Sequence, residues 1–143
     1  MQSHRSFLLI QDEPQHLFVY GTLRPQLARG EAQVLIAALK IVGSATVQGK
    51  LYDFGAYPGV TNEKGLVFGD LLLLSSDKQL HLLDAYEECN GSSPLFTRSI
   101  TTARISAGTS IAAWIYLFCG RAEPGVLIAS GDYQQYMRSR FSN

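Results

Sequence analysis

The side chains best able to do chemistry stand close together in Leu83-Asp84-Ala85-Tyr86-Glu87. On a helical wheel of about 100° per residue, Leu80, Leu83 and Tyr86 share one side, with Leu82 at its edge. Glu87 lies four residues from Leu83 and seven from Leu80, inside that apolar stripe, whereas His81 and Glu88 fall on the polar face. A carboxylate on a core-facing stripe is costly unless it is paired or hydrogen-bonded. Two readings stand: the helix frays before Glu87 and the side chain reaches solvent, or Glu87 faces inward. In the second case desolvation, the negative helix end and Asp84 at i−3 all disfavour its charged form. A carboxyl tuned towards neutrality suits general acid–base work. Asp84 and Glu87 do not suit glycoside cleavage, because side chains three apart on one helix lie too close to flank a sugar bond.

A second candidate is Phe18-Val19-Tyr20-Gly21-Thr22-Leu23-Arg24-Pro25, where glycine and a hydroxyl residue follow an apolar run. Such a turn either simply ends a strand or offers successive backbone N–H groups to an anion or developing oxyanion. It lacks the glycine spacing of a P-loop or a dinucleotide fingerprint. Cys89 and Cys119 are far apart with no CxxC; they are read as two buried or free thiols of a reducing compartment, with a bridge between them as the alternative. His4, His16 and His81 show no metal-ligand spacing, so no metal is expected.

The elements that must position these groups follow from periodicity. His16 to Tyr20 reads as a first strand. Leu27 to Lys40 is helix-like, with Val34, Leu35, Ala37 and Ala38 at helical spacing. Ile41 to Phe54 is β-branched and glycine-punctuated, one bent strand or two. Residues 55–59 are a loop around Pro58, and Gly65 to Leu74 is a strand apolar enough to be covered on both faces. Ser76 and Gln79 form a capping box opening a helix to about Glu88, with Asn90-Gly91 as its stop. Phe96 to Ile105 and Ser110 to Phe118 pair as a hairpin, and a last helix covers roughly Tyr133 to Arg140. Strands first, a central helix, then a hairpin give a compact α+β fold around a mixed, partly closed sheet.

The 143 residues form one domain, with residues 1–15 a loosely held arm. A chain of this length buries about 68–70% of its unfolded surface, enough for a core and a pocket. Twelve basic residues balance twelve acidic ones without a basic run, which argues against nucleic-acid or membrane-surface binding. No apolar run approaches the ~18 residues of a spanning helix. The start carries one arginine and four clustered apolar residues before Asp12 and Glu13, too little for a secretory leader, so a cytoplasmic protein is expected.

Taken together, Tyr20-Gly21-Thr22-Leu23, Asp53-Phe54-Gly55-Ala56-Tyr57-Pro58-Gly59, Leu83 to Glu87, Phe96-Thr97-Arg98, Ala113-Trp114-Ile115-Tyr116 and Ser130-Gly131-Asp132-Tyr133 resemble the γ-glutamylcyclotransferase-like superfamily. The likeness is to its small AIG2-like and γ-glutamylamine cyclotransferase branch, in that family's order and over residues 17–133. The resemblance implies a small mixed β-barrel of about six or seven strands with flanking helices, and a pocket at its mouth. It implies that Tyr20, Gly21, Thr22 and Leu23 hold a γ-glutamyl group and that Glu87 is the catalytic acid/base. It further implies that Tyr116 lines the pocket and that Arg98 holds architecture or contacts a substrate carboxylate. The implied reaction releases 5-oxoproline from a γ-glutamyl amine or amino acid by intramolecular aminolysis, with a small-molecule substrate and no cofactor. The alternative is a binding or interaction module that keeps the pocket without the chemistry. Two positions depart from the family's usual pattern: Glu88 stands where glycine follows the glutamate, and Phe96 stands where tyrosine precedes the arginine by two.

Overall fold

A computed structural model describes residues 13–89 and 91–140. In chain order the elements are β1 (His16–Val19), α1 (Gly30–Ala37), β2 (Lys40–Asp53), β3 (Pro58–Leu73), α2 (Asp77–Tyr86), β4 (Phe96–Ile105), β5 (Ser110–Phe118), β6 (Val126–Leu127) and α3 (Tyr133–Arg140). Five strands close into a barrel. β1 runs antiparallel to β3, β3 to β2, β2 to β4 and β4 to β5, and the ring is completed by a parallel contact of Leu17 in β1 with Trp114 in β5. The short β6 extends β2 at Tyr52 and Asp53. The expected α+β barrel is present, with six strands.

The alternation of side chains along each strand divides the apolar residues into two cores. Phe18 and Tyr20 of the β1 region, Leu51, Val67, Leu71, Ala113 and Ile115 fill the barrel. Leu17, Val19, Leu72 and Tyr116 point the other way, beneath α1 and α2 through Ile36 and Leu83. β1 is therefore buried on both faces, which is why it reads as an unbroken apolar run. β2 bends at two register shifts, between Ile41 and Gly43 and between Gln48 and Lys50, and so serves as one long strand pairing with three others.

Several expected boundaries move. α1 is shorter than residues 27–40 because Leu27 and Ala28 donate to the Arg24 carbonyl in a separate turn. Its buried side is Ala32 and Ile36, continued by Ala28 and Leu39; Val34, expected on the stripe, is 73% exposed. β3 starts at Pro58 rather than Gly65, since Pro58 to Thr61 pair with Lys50 to Asp53 and shorten the 55–59 loop. The β4–β5 hairpin and α3 have the expected bounds. Of the proposed arm, residues 1–12 lie outside the described residues. Pro14 and Gln15 belong to the barrel, accepting from Trp114 Nε1 at 3.0 Å and Leu74 N–H at 2.9 Å. Among the described residues no helix is long and apolar enough to cross a membrane.

Arg24, directly after the glycine turn, is buried with Asp70 of β3; Nε meets Oδ2 at 2.9 Å. Its Nη1 reaches Asp132 Oδ1 at 3.1 Å, and that same oxygen accepts from the Gln135 N–H at the start of α3. One cation thus ties the turn to the barrel wall and to the last helix. Breaking a buried pair from one side strands its partner, at about 3–5 kcal/mol. Asp70→Ala is expected to lose that much in urea denaturation. Arg24→Met with Asp70→Leu, which removes both charges, is expected to recover most of the loss.

Candidate active site

Ser76 caps α2, its Oγ accepting from the Gln79 N–H at 3.3 Å, while Gln79 Oε1 accepts from the Ser75 N–H at 2.8 Å. The reciprocal arm of the capping box therefore lands one residue earlier than its usual form. Leu80 and Leu83 are buried as the wheel requires, and Leu82 is 49% exposed. The helix ends at Tyr86, earlier than the expected Glu88 and before Asn90-Gly91. Glu87 is the C-cap residue. Beyond it the Glu88 N–H donates to the Ala85 carbonyl at 3.2 Å and the Cys89 N–H to the Asp84 carbonyl at 2.9 Å. This pair of bonds is a Schellman turn, and it places Glu88 at φ +59°. Both sequence readings hold in part: the helix does stop before Glu87, yet the Glu87 side chain still turns inward.

Asp84, one turn earlier, docks this helix end. Its Oδ1 accepts from Arg98 Nε at 2.8 Å and from the Tyr116 hydroxyl at 2.7 Å. Arg98 and Tyr116 are cross-strand partners in the β4–β5 hairpin, and the Arg98 guanidinium also lies 4.2 Å from the centre of the Trp114 ring. Asp84 is thus committed to a cation and a phenol.

Glu87 lines a recess with Phe18, Val19, Tyr20, Gly21, Thr22, Leu23, Tyr57, Pro58, Phe96 and Tyr116. All six residues expected to form the site meet there. The recess is narrow, a cavity of about 50 Å³ that widens into an open mouth. Arg98 is absent from the lining; its charge is spent on Asp84. Tyr20 donates its hydroxyl to the Tyr116 carbonyl at 2.6 Å, so this phenol presents its ring rather than its oxygen. Burial, and then the neighbouring Glu87 carboxylate, push the Tyr20 phenol far above its ordinary range. Tyr116 is raised too, by burial first and by its bond to Asp84 second. Gly21 is required by space: a Cβ there would come within 2.5 Å of Pro58 Cγ. The Gly21 carbonyl accepts from the Arg24 N–H at 2.9 Å. Among the described residues none accepts from the N–H groups of Gly21, Thr22 or Leu23.

The Glu87 carboxyl is pushed up to about 7, first by burial and then by the Glu88 charge. The expected contribution from Asp84 is replaced by that of Glu88, because Arg98 and Tyr116 already occupy Asp84. Among the described residues no cation or hydrogen-bond donor meets the Glu87 carboxylate. Cys89 and Cys119 are free thiols, the former pushed up to about 11 chiefly by burial.

Tyr57 and Pro58 are wall residues that reading position by position did not assign. The signal was present, since an aromatic residue followed by proline after Gly55-Ala56 sets a rigid edge. Phe96 was singled out for lacking a hydroxyl, and its ring stands in the recess, edge-on to Tyr57 at 5.8 Å between centres. Arg24 and Asp70 were missed as supports; a lone aspartate within Gly65 to Leu74 was their trace.

A family model described as gamma-glutamyl cyclotransferase, AIG2-like, matches residues 17–135. A Vibrio cholerae protein assigned to the γ-glutamylcyclotransferases is 34% identical over 125 residues, which cover 85% of this chain and 97% of that protein. Among solved structures, an AIG2-like protein of Mus musculus has a TM-score of 0.69 at 20% identity, covering 85% of this chain and 88% of its own. YkqA of Bacillus subtilis also reaches 0.69 at 22% identity; it takes in 92% of this chain, which spans only 44% of that longer protein. Identities this low speak for the fold alone, whereas the family match runs from β1 into α3 and takes in every residue of the recess. The chain belongs to the AIG2-like gamma-glutamyl cyclotransferase family.

Proposed function

We propose that this protein releases 5-oxoproline from a γ-glutamyl amine or amino acid, with Glu87 as general base and then general acid. The observation carrying this reading is the Glu87 carboxyl, pushed up to about 7 and facing a recess rimmed by unbonded backbone N–H groups. A base with that affinity for a proton is half ionised at neutral pH, where proton transfer in both directions is easiest. The Glu87 carboxylate takes a proton from the substrate α-ammonium. The freed amine attacks the γ-carbonyl carbon of the same glutamyl group, closing a five-membered ring and leaving an oxyanion. Gly21, Thr22 and Leu23 line the recess, and their N–H groups are the proposed donors to that oxyanion. Collapse breaks the original C–N bond: the departing nitrogen takes the proton held by Glu87, the ring nitrogen passes its second proton to the released amine, and 5-oxoproline and the ammonium product leave. Nucleophile and electrophile belong to one molecule, so the wall of Phe18, Tyr57 and Phe96 contributes mainly by folding the substrate into the reactive conformer. No nucleophilic serine or cysteine is needed.

Glu87→Gln removes the proton shuttle while keeping shape, and a positioned general base contributes typically about 10²–10⁴-fold. The variant is expected to fold and to release 5-oxoproline from a panel of γ-glutamyl amines and amino acids at least ~100-fold more slowly. Release at the wild-type rate would remove Glu87 from the mechanism. Binding of the panel by the wild-type protein without any 5-oxoproline would favour a binding module instead.

The reactive form is the carboxylate, so kcat/KM is expected to rise with pH through about 7 and then level. Stability moves the opposite way. The folded chain holds the Glu87 proton more tightly than the unfolded one, whose carboxyl titrates near 4.5. Stability associated with this group is therefore full below that value and is lost as pH rises to about 7. In denaturant titrations Glu87→Gln should match the wild type at pH 4 and exceed it at pH 8, by on the order of 2–3 kcal/mol. A deficit at pH 8 would show that Glu87 is not strained by its charge.

A further inference from the structure

Glu88 is the one non-glycine among the described residues with positive φ, at +59°. The Schellman turn that places it there is made of backbone alone: its N–H donates to Ala85, and its carbonyl accepts from the Leu95 N–H at 3.2 Å. Its exposed side chain takes no hydrogen bond or ion pair among the described residues. Glycine would fit this left-handed position without strain. The turn therefore gains nothing from a carboxylate, and a charged side chain is held at a conformation it disfavours.

The same turn sets Glu88 next to Glu87 at the edge of the site. Glu87 and Glu88 line one outer groove, which opens beside the recess and shares Thr22, Tyr57 and Phe96 with it. The other titratable or charged groups facing Glu87 leave Glu88 as the uncompensated like charge. From α2, Asp84 is held by Arg98 and Tyr116 of the hairpin, while Tyr86 and Cys89 are neutral. Tyr20, after the end of β1, is a neutral phenol bound to a carbonyl, and Tyr57 lines the recess from the β2–β3 loop. Ahead of α1, Arg29 lines the groove with its Nη1 on the Ala28 carbonyl, and Glu31 faces Tyr86.

We propose that Glu88 is a positioning residue for the reaction: the helix-ending turn holds its negative charge at the groove that Glu87 also lines, where it adds to the effect of burial in delaying the ionisation of Glu87. The proposal rests on the assignment of Glu87 as the acid/base, and concerns what sets its working pH. Taking away the neighbouring charge favours ionisation, so the acidic limb of kcat/KM moves to lower pH. An exposed carboxylate acts through partly screened solvent, so the movement is modest and shrinks as salt is raised.

The test uses Glu88→Gln, which keeps the strained position and loses the charge, and Glu88→Gly, which loses both. Glu87 is titrated directly by its side-chain carboxyl carbon in 13C-labelled protein, with Glu87→Gln identifying the signal, and the kinetic pH profile is measured alongside. Both Glu88 variants are expected to titrate at lower pH than the wild type. At a pH one unit below the wild-type limb, each is expected to turn over roughly threefold faster. An unmoved titration in Glu88→Gln overturns the proposal, as does a movement seen with Gly alone, which would make the effect one of backbone strain. If the titration moves and the kinetic limb stays, the role of Glu88 stands and the assignment of Glu87 as acid/base fails.

Discussion

The placement of the proposed chemistry depends on one carboxylate that does not itself face the recess. Asp84 draws Arg98 and Tyr116 onto a single oxygen, and those two side chains stand opposite each other in the β4–β5 hairpin. A helix with only Leu80 and Leu83 buried could slide or roll over an apolar surface. The charge-assisted bonds remove that freedom, because they are directional where apolar packing is not. With Asp84 pinned, the next residue on its side of the helix end is Glu87, and its aim follows. The two acids three residues apart therefore divide their labour. One meets two donors and fixes position, while the other meets none among the described residues and holds its proton more tightly than a free carboxyl.

The barrel supplies the opposite wall by being buried on both sides. Tyr20 starts from the interior core and sends its hydroxyl across to the Tyr116 carbonyl, whereas the Tyr116 side chain belongs to the layer beneath the helices. The recess lies where the two cores meet at the end of β1. Its rim has N–H groups without a protein acceptor among the described residues because β1 stops pairing at Val19, and the chain then turns too tightly to join another ladder. A recess at that place needs no inserted domain or long loop; it follows from ending one central strand early.

Much of this was legible in the residues. The β4–β5 hairpin and α3 stood out because their patterns are strong and their turns carry glycine. Glu87 was visible as a charge on an apolar stripe. What the stripe could not give was how Asp84 is spent, since its partners lie on strands 14 and 32 residues away. Asp84 was therefore credited with repelling Glu87, when the neighbour that does so is Glu88. The stop of α2 was placed at Asn90-Gly91 because glycine is the usual left-handed residue, and a glutamate in that conformation has no local signal. In α1 the apolar residues nearly surround the helix. Spacing alone selected Val34, and packing against the barrel selected Ile36 instead.

The buried Arg24 has a consequence for the order in which the protein is made. The turn at residues 20–23 leaves the ribosome well before one of the two carboxylates that secure Arg24, Asp132, which lies 108 residues further on. Asp70 arrives in between, with β3. The rim of the recess is thus made before a residue that fixes it, and a nascent chain that has not reached α3 carries the site's residues without their full frame. Contacts of such long sequence separation also slow folding. A site assembled this way matures only once Asp132 has been made.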